Sequence, residues 1–231
     1  MRFIKKLFTS VLLLIFIASA VVIAGGWGKY KQAVKQLPLS VAVSNIKNTE
    51  SFTQFSDISL TFVNAMVAVE DRRFYQHKGV DFIGVCRAMV NNIQKKSFVE
   101  GGSCITQQLA KNIYFMNDNS LSRKIAEIFV AVDIEKALSK KEILELYFNV
   151  IYYGSGYYNI ADASIGYFGK KPADLTDYEA TLLAGIPNAP SVYSLNNNPD
   201  LAKKRQKTVI NAMVSMKYLT REEADILISL Q

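Results

Sequence analysis

The sequence is poor in the residues that mark several common protein classes. Among 231 residues there is a single histidine, His77, and only two cysteines, Cys86 and Cys104, without metal-ligand spacing. A zinc site is therefore not expected, and two cysteines do not make a disulfide scaffold. Both are read as free and packed. No zinc finger, ribonucleoprotein aromatic motif or basic recognition helix occurs, so nucleic acid is not an expected partner. Strand signal is scarce and no internal repeat is visible. Ser-x-x-Lys and Lys-Thr-Gly do not occur together, so a penicillin-binding transpeptidase module is not expected within these residues.

What is present is apolar and mildly basic. Half the residues are hydrophobic, enough for a core, and the formal charge is +7. Arg2, Lys5 and Lys6 supply three of those charges ahead of the uncharged apolar run Leu7 to Ile23. As a helix that run spans roughly 25 Å, adequate with its flanks for a hydrocarbon core of ~30 Å. Trp27 and Tyr30 follow where aromatic rings suit a lipid interface. The basic flank predicts a cytoplasmic N-terminus and an extracytoplasmic remainder in a single-pass cell-membrane protein. Ala18-Ser19-Ala20 resembles a signal-peptide cleavage site, but the apolar run continues past it, which favours an uncleaved anchor. The expected division is residues 1–27 as basic stub and anchor, 28–56 as a membrane-proximal segment, and 57–231 as the functional domain.

From Asp57 onward the periodicity is helical. Phe82, Val85, Cys86, Met89, Val90 and Ile93 recur at three- and four-residue steps, predicting an amphipathic helix that buries them and ends near Gln94. Lys95 to Glu100 reads as a polar loop, Gly101-Gly102 as a sharp turn, and Ser103 as the cap of a helix that could receive an anion. Ser122 is the expected cap of the next helix, with Ile125, Ile128, Phe129 and Val132 as its apolar stripe. Capping boxes open helices at Ser139, Thr176 and Thr220, and Asn198 with Pro199 opens another. The basic residues Lys203, Lys204, Arg205 and Lys207 of that helix read as a solvated face. The fold class is all-α.

The densest ionisable cluster runs from Glu70 to Gly79, behind the apolar stripe Phe62, Val63, Met66, Val67 and Val69. A carboxylate at the end of a packed helix can be desolvated and fitted for proton transfer. A solvated helix end with loosely paired charges fits the spacing equally well. Arg123 and Glu127 lie one turn apart, either as an exposed ion pair or as part of a site. Tyr152 to Tyr158 is a glycine-broken aromatic turn that suits sugar stacking or loop packing.

Glu70-Asp71-x-x-Phe74-x-x-His77-x-Gly79 resembles the first signature of the family 51 glycosyltransferases, the peptidoglycan polymerases. Gly101-Gly102-Ser103-Cys104-Ile105-Thr106-Gln107-Gln108-Leu109-Ala110-Lys111-Asn112 resembles the second. Arg123-Lys124-x-x-Glu127, Lys141 to Asn149, and Tyr167 to Lys170 follow in the family's order, so the resemblance covers about Phe62 to Thr220. Cys104 stands where the family has threonine, Phe148 where it has leucine, Asn159 where it has glycine, and Glu100 where glutamine is frequent.

The resemblance implies a two-lobed, lysozyme-like α domain behind a transmembrane helix. It implies Glu70 as the general base and Glu127 as a second catalytic carboxylate on the donor side, orienting a pyrophosphate or a divalent cation. Lys111, Arg123, Lys124 and Lys170 become phosphate-neutralising cations, and Ser103, Gln108 and Asn112 substrate contacts. Asp71, Phe74 and His77 are expected to shape the first motif. The implied substrates are lipid II and the growing glycan strand, with membrane lipids and other cell-wall synthesis proteins as partners. Mg or Mn is admitted near Glu127, and no organic cofactor is implied. A lysozyme-like muramidase or lytic transglycosylase, and a non-catalytic precursor-binding scaffold, remain as alternatives.

Overall fold

The computed structural model describes residues 2–95 and 101–230, and among these the ordered elements are all helical. The loop expected at 95–100 and the substitution at Glu100 thus fall, beyond Lys95 itself, outside the described residues.

The first helix, α1 (Arg2–Gln36), carries the apolar run and continues past Trp27 without a break. Its residues from Leu7 to Phe16 are mostly exposed apolar side chains, as lipid-facing residues would be. A short α2 (Leu39–Lys47) follows. It contains Ser44-Asn45-Ile46-Lys47, which has Ser-x-x-Lys spacing, but Lys47 faces Glu145 at 3.8 Å and no Lys-Thr-Gly accompanies it. The irregular stretch beyond α2 is strapped down. Thr53 and Asn149 exchange two hydrogen bonds at 2.8 and 2.9 Å, and the Phe55 amide donates to Glu145.

At the centre lies α3 (Leu60–Glu70), which buries Phe62, Val63, Ala65, Met66, Val67 and Ala68. It was expected to bury one stripe, but it is enclosed nearly all round by α9 (Asp177–Gly185) and α11 (Pro199–Ser215). Two alanines among its buried residues permit that close approach on the second face. Phe148, at the end of α7 (Lys140–Phe148), fills the core edge-on against Phe62 with ring centres 5.1 Å apart. That contact accounts for the larger residue at this position. Each fully buried aliphatic or aromatic side chain here contributes about 1.5–3 kcal/mol.

The capping boxes at Ser139, Thr176 and Thr220 form, opening α7, α9 and α12 (Arg221–Ser229). Asn159 caps α8 (Ile160–Phe168) through the Asp162 amide and also donates to Ser51, so a side chain replaces the family's glycine for a local reason. Other expected caps are corrected. Ser120, not Ser122, accepts from the Arg123 amide and starts α6 (Leu121–Ala137). Asn198 makes no side-chain cap before Pro199.

Two apolar stripes also differ from expectation. In α6 the core face is Ala126, Val130, Ala131 and Ile134, while Ile125 and Phe129 turn to α1. In α4 (Phe82–Lys95) only Gly84 and Ala88 are buried, and Phe82, Met89, Val90 and Ile93 are exposed. Cys86 is exposed with them, whereas Cys104 is buried. An amphipathic period reports that one face is apolar, not what covers it.

Candidate active site

The first motif ends α3 and is pinned by backbone and side-chain bonds. Asp71 follows Glu70 and sends its carboxylate to the amide of Ile105 at 3.0 Å, the first residue of α5 (Ile105–Tyr114). Asp71, not Ser103, therefore satisfies that helix start. His77 Nε2 lies 2.9 Å from the same carboxylate, a structural hydrogen-bonding position. Gly79 has φ +89°, and a Cβ there would sit 3.0 Å from the Ala131 backbone of α6, so glycine is required twice over. Its carbonyl accepts from the Cys104 thiol at 3.1 Å and the Gln107 amide at 3.2 Å. The sequence-distant signatures thus meet through one turn.

Around this turn opens a cavity of about 1220 Å³. One wall comes from α4, Gly101 to Ser103, α5 and α6. The other comes from Tyr147 to Tyr158, Pro187 to Pro190, and α11. Gly101 and Gly102 enter it as irregular chain rather than as the expected sharp turn. The space exceeds the roughly 300–1,000 Å³ of an ordinary small-molecule pocket.

Glu70 lies in this cavity with its side chain 10% exposed. Its Oε2 accepts from Gln108 Nε2 at 2.9 Å, while Gln108 Oε1 accepts from the Tyr147 hydroxyl at 2.9 Å. That pairing orients the Gln108 amide, with its NH₂ towards the carboxylate. Glu70 Oε1 is buried and has no hydrogen-bond partner, and Arg205 stands 3.8 Å from it. Burial pushes the Glu70 pKa above its ordinary value; the Gln108 bond and the Arg205 charge oppose that rise, and Asp71 reinforces it. A carboxylate with one fixed and one unpartnered oxygen is suited to take a proton.

The second carboxylate, Glu127, is 1% exposed. Arg123 donates to its Oε1 at 2.7 Å and Lys124 to its Oε2 at 2.9 Å. The pair left open between an exposed salt bridge and a site is therefore a triad of two partly exposed cations around a buried carboxylate. Lys124 also donates to Ser103 Oγ at 2.5 Å. Lys111 is exposed at the cavity without an ion pair among the described residues. Asn112 lines the cavity and donates to the Gln108 carbonyl at 2.8 Å. Of the residues expected at the site, Glu70, Glu127, Ser103, Gln108, Lys111, Asn112, Arg123 and Lys124 all line this cavity.

Lys170 does not. Its ammonium is 2.8 Å from both oxygens of Glu179, the capping-box residue of α9, and it is absent from the cavity walls. The motif match at Tyr167 to Lys170 thus serves a helix start rather than a phosphate site.

The 176 residues 39–214 match the family model described as transglycosylase. The chain belongs to the transglycosylase family. A Cupriavidus necator protein named for transglycosylase activity is 42% identical over 193 residues, covering 84% of this chain and 83% of that protein. Penicillin-binding protein 1A of Neisseria lactamica is 48% identical over 174 residues, or 75% of this chain. This chain spans about a fifth of the length of the penicillin-binding relatives, since the match covers 22% of that protein. The solved penicillin-binding protein 1A of Haemophilus influenzae aligns over 55% of this chain and 16% of its own at 28% identity, TM-score 0.39.

Arg205, expected on a solvated face, is not there. It lies in the cavity beside Glu70, with its side chain 16% exposed. The register Ala202, Gln206, Val209, Ala212 and Met213 is the buried stripe of α11, and Arg205 falls at its edge. Leu201, near the start of the same helix, is exposed. Tyr147 was missed because nothing in a helical run marks a buried hydroxyl as a relay. The aromatic turn divides its two readings: Tyr153 is core, whereas Tyr152 and Tyr158 line the cavity with ring centres 4.7 Å apart.

Among the described residues, two candidate donor sets do not suit a protein-held divalent cation. Both Glu127 oxygens are already bonded to cations. Asp71, His77 and Cys104 come within 4.8 Å of one another, but Asp71 is engaged with Ile105 and His77. Burial pushes the Cys104 thiol to about 12, and it donates to Gly79, so it is held as a neutral donor.

Proposed function

We propose that this chain is a peptidoglycan glycosyltransferase that polymerises lipid II into glycan strands, releasing undecaprenyl pyrophosphate. The observation that carries the reading is the division of one cavity into a desolvated carboxylate at Glu70 and a cationic wall at Lys111, Arg123 and Lys124. Family membership and the ordered signatures support it.

Glu70 Oε1 takes the proton of the acceptor sugar's 4-hydroxyl, and Gln108 holds the other oxygen still. The acceptor oxygen bonds to the anomeric carbon of the growing strand from the face opposite the leaving group. The bond to the pyrophosphate oxygen breaks, and its electron pair leaves with the phosphate, so configuration inverts. Lys111, Arg123 and Lys124 stabilise that charge as preorganised cations. Glu127 holds two of them in place. Gln108 and Asn112 hold substrate and loop, and Tyr152 and Tyr158 offer faces for sugar rings. No step is routed through a divalent cation.

The N-terminal helix anchors this machinery beside its lipid-linked substrate, with the basic stub in the cytoplasm and the catalytic domain outside. The exposed apolar residues of α4 suit the same bilayer. Tethering enzyme and substrate to one surface raises their effective concentration without a new contact. The division proposed is an anchor through residue 27, a membrane-proximal segment to 56 and the catalytic domain beyond.

The test is glycan formation from purified lipid II by detergent-solubilised full-length protein beside Glu70→Gln. Loss of a general base costs about 10²–10⁴-fold. Polymer from wild type and almost none from the variant supports the proposal. Cleavage of preformed glycan would make the protein a muramidase, and binding without turnover a scaffold.

A further inference from the structure

The donor-side residues Arg123, Lys124 and Glu127 all stand on α6, and α6 rests on the anchor helix. Trp27 packs edge-on against Phe129 with ring centres 4.9 Å apart, Tyr30 donates to Asp133 at 2.6 Å, and Lys29 pairs with Asp118. The α6 residues facing α1 are Ser122, Ile125, Phe129 and Asp133, at steps of three and four. At 3.6 residues per turn this row lies on the opposite side of α6 from Arg123, Lys124 and Glu127.

Gly26 is the point of closest approach. A Cβ there would lie 2.5 Å from Ile125 Cβ and 2.8 Å from the Ser122 carbonyl oxygen. Both atoms belong to the framework of α6, so no side-chain rotation relieves the contact. The helix itself has to move, by roughly 1 Å, to restore an ordinary separation. The neighbouring glycines differ. A Cβ on Gly25 would make an ordinary 3.6 Å contact with Ser122, and one on Gly28 would meet nothing within 4 Å.

We propose that Gly26 is a positioning residue for the reaction, and that the anchor helix is the wall that sets the distance of the Arg123–Lys124–Glu127 triad from the pyrophosphate. The inference rests on the donor-side role assigned to α6 above. The anchor thereby acts on the site as well as holding the protein at the membrane. Membrane tethering alone would require only an apolar helix on a linker of any geometry, whereas this helix runs unbroken from the apolar span into a contact that admits no Cβ.

The experiment compares Gly25→Ala, Gly26→Ala and Gly28→Ala in the full-length detergent-solubilised protein. All three exchanges raise helix propensity equally, so only the contact with α6 distinguishes them. Three quantities are measured well below the unfolding temperature: affinity for a short polyprenyl pyrophosphate, polymerisation turnover on lipid II, and emission of Trp27, the single tryptophan. Displacement by roughly 1 Å predicts a loss of about tenfold or more in affinity and turnover for Gly26→Ala, with shifted Trp27 emission. Gly25→Ala and Gly28→Ala stay within about twofold of wild type by the same reasoning.

Should Gly26→Ala fail to fold, Tyr30→Phe loosens the same contact more gently by removing the Asp133 bond, and a smaller loss in the same two quantities is expected. A Gly26→Ala protein that only melts earlier, with wild-type affinity and turnover when folded, overturns the proposal. So does loss of affinity in Gly28→Ala equal to that in Gly26→Ala. If wild type makes no polymer, the polymerase reading fails, while the affinity contrast between positions 26 and 28 still decides this one.

Discussion

Replacing Glu70 by glutamine should remove activity without removing stability, and the contrast tests whether the carboxylate is held ionised at a cost. In the folded protein its side chain is 10% exposed, with one oxygen bonded to Gln108 and the other buried without a partner. Glutamine keeps the shape and can still accept the Gln108 bond. That bond then falls from a charge-assisted one worth about 1.5–3 kcal/mol to a neutral one of about 1 kcal/mol. Weakening the attraction to Arg205 adds to the loss. Relief from desolvating an ion, which costs several kcal/mol in a buried site, acts in the opposite direction. The net change at neutral pH is therefore within about 1 kcal/mol of zero, or a shift of about 2–4 °C in midpoint for a chain of this size.

The pH dependence gives the sharper readout. Unfolded Glu70 ionises near its ordinary value of 4.5, while burial raises the folded value above that. Between the two values the folded state holds more protons than the unfolded state, so this group's contribution to stability falls as pH rises, then levels off. Below 4.5 both states are protonated and the penalty is absent. Thermal midpoints across pH 4–8, compared between wild type and Glu70→Gln, isolate this contribution, because the variant lacks it. The variant should gain on wild type as pH rises through that window. If Glu70→Gln is instead less stable than wild type at neutral pH by more than about 2 kcal/mol, the carboxylate is a net stabiliser and the desolvation reasoning fails.

Turnover should rise with pH through a limb whose midpoint lies above 4.5, and Gln108→Leu should move that limb higher by removing a bond that favours the ionised form. Pre-steady-state rates against pH would show it, and an unmoved limb would exclude Gln108 as the partner that matters. The same variant leaves the Tyr147 hydroxyl buried and unpaired, for a loss of about 1–3 kcal/mol in chemical unfolding. Lys170→Met should leave turnover within about twofold, since its partly buried pair with Glu179 supports a helix start outside the cavity; a large loss would return Lys170 to the site. In thiol titration near pH 8, Cys86 should react at once, while Cys104, pushed to about 12 by burial, should react only on unfolding. Two equally fast thiols would refute that placement.

Much of this protein was legible in its residues because the signals are local. A capping box is read within four residues, and those at Ser139, Thr176 and Thr220 form as written. The apolar run ahead of Trp27 is long enough to span a bilayer by composition alone. The motifs carrying Glu70, Gln108, Lys111 and Glu127 could be listed in order from the sequence, since residue identity and spacing are what a signature contains.

What covers an apolar face is a different kind of fact, and only the tertiary structure decided it. Phe82, Met89, Val90 and Ile93 of α4 have the period of a core face but stay exposed among the described residues, whereas Arg205 has the character of a surface residue but stands over Glu70. Asp71 caps a helix that begins 34 residues later, a pairing that no local rule can foresee. Lys170 and Lys124 are the same residue type in two of the ordered motifs, yet one binds Glu179 and the other Glu127. Periodicity and capping are set by bonds within a turn or two of chain. Burial, charge partners and the approach of α1 to α6 are set by which surfaces meet, and that is fixed only when the whole chain has packed.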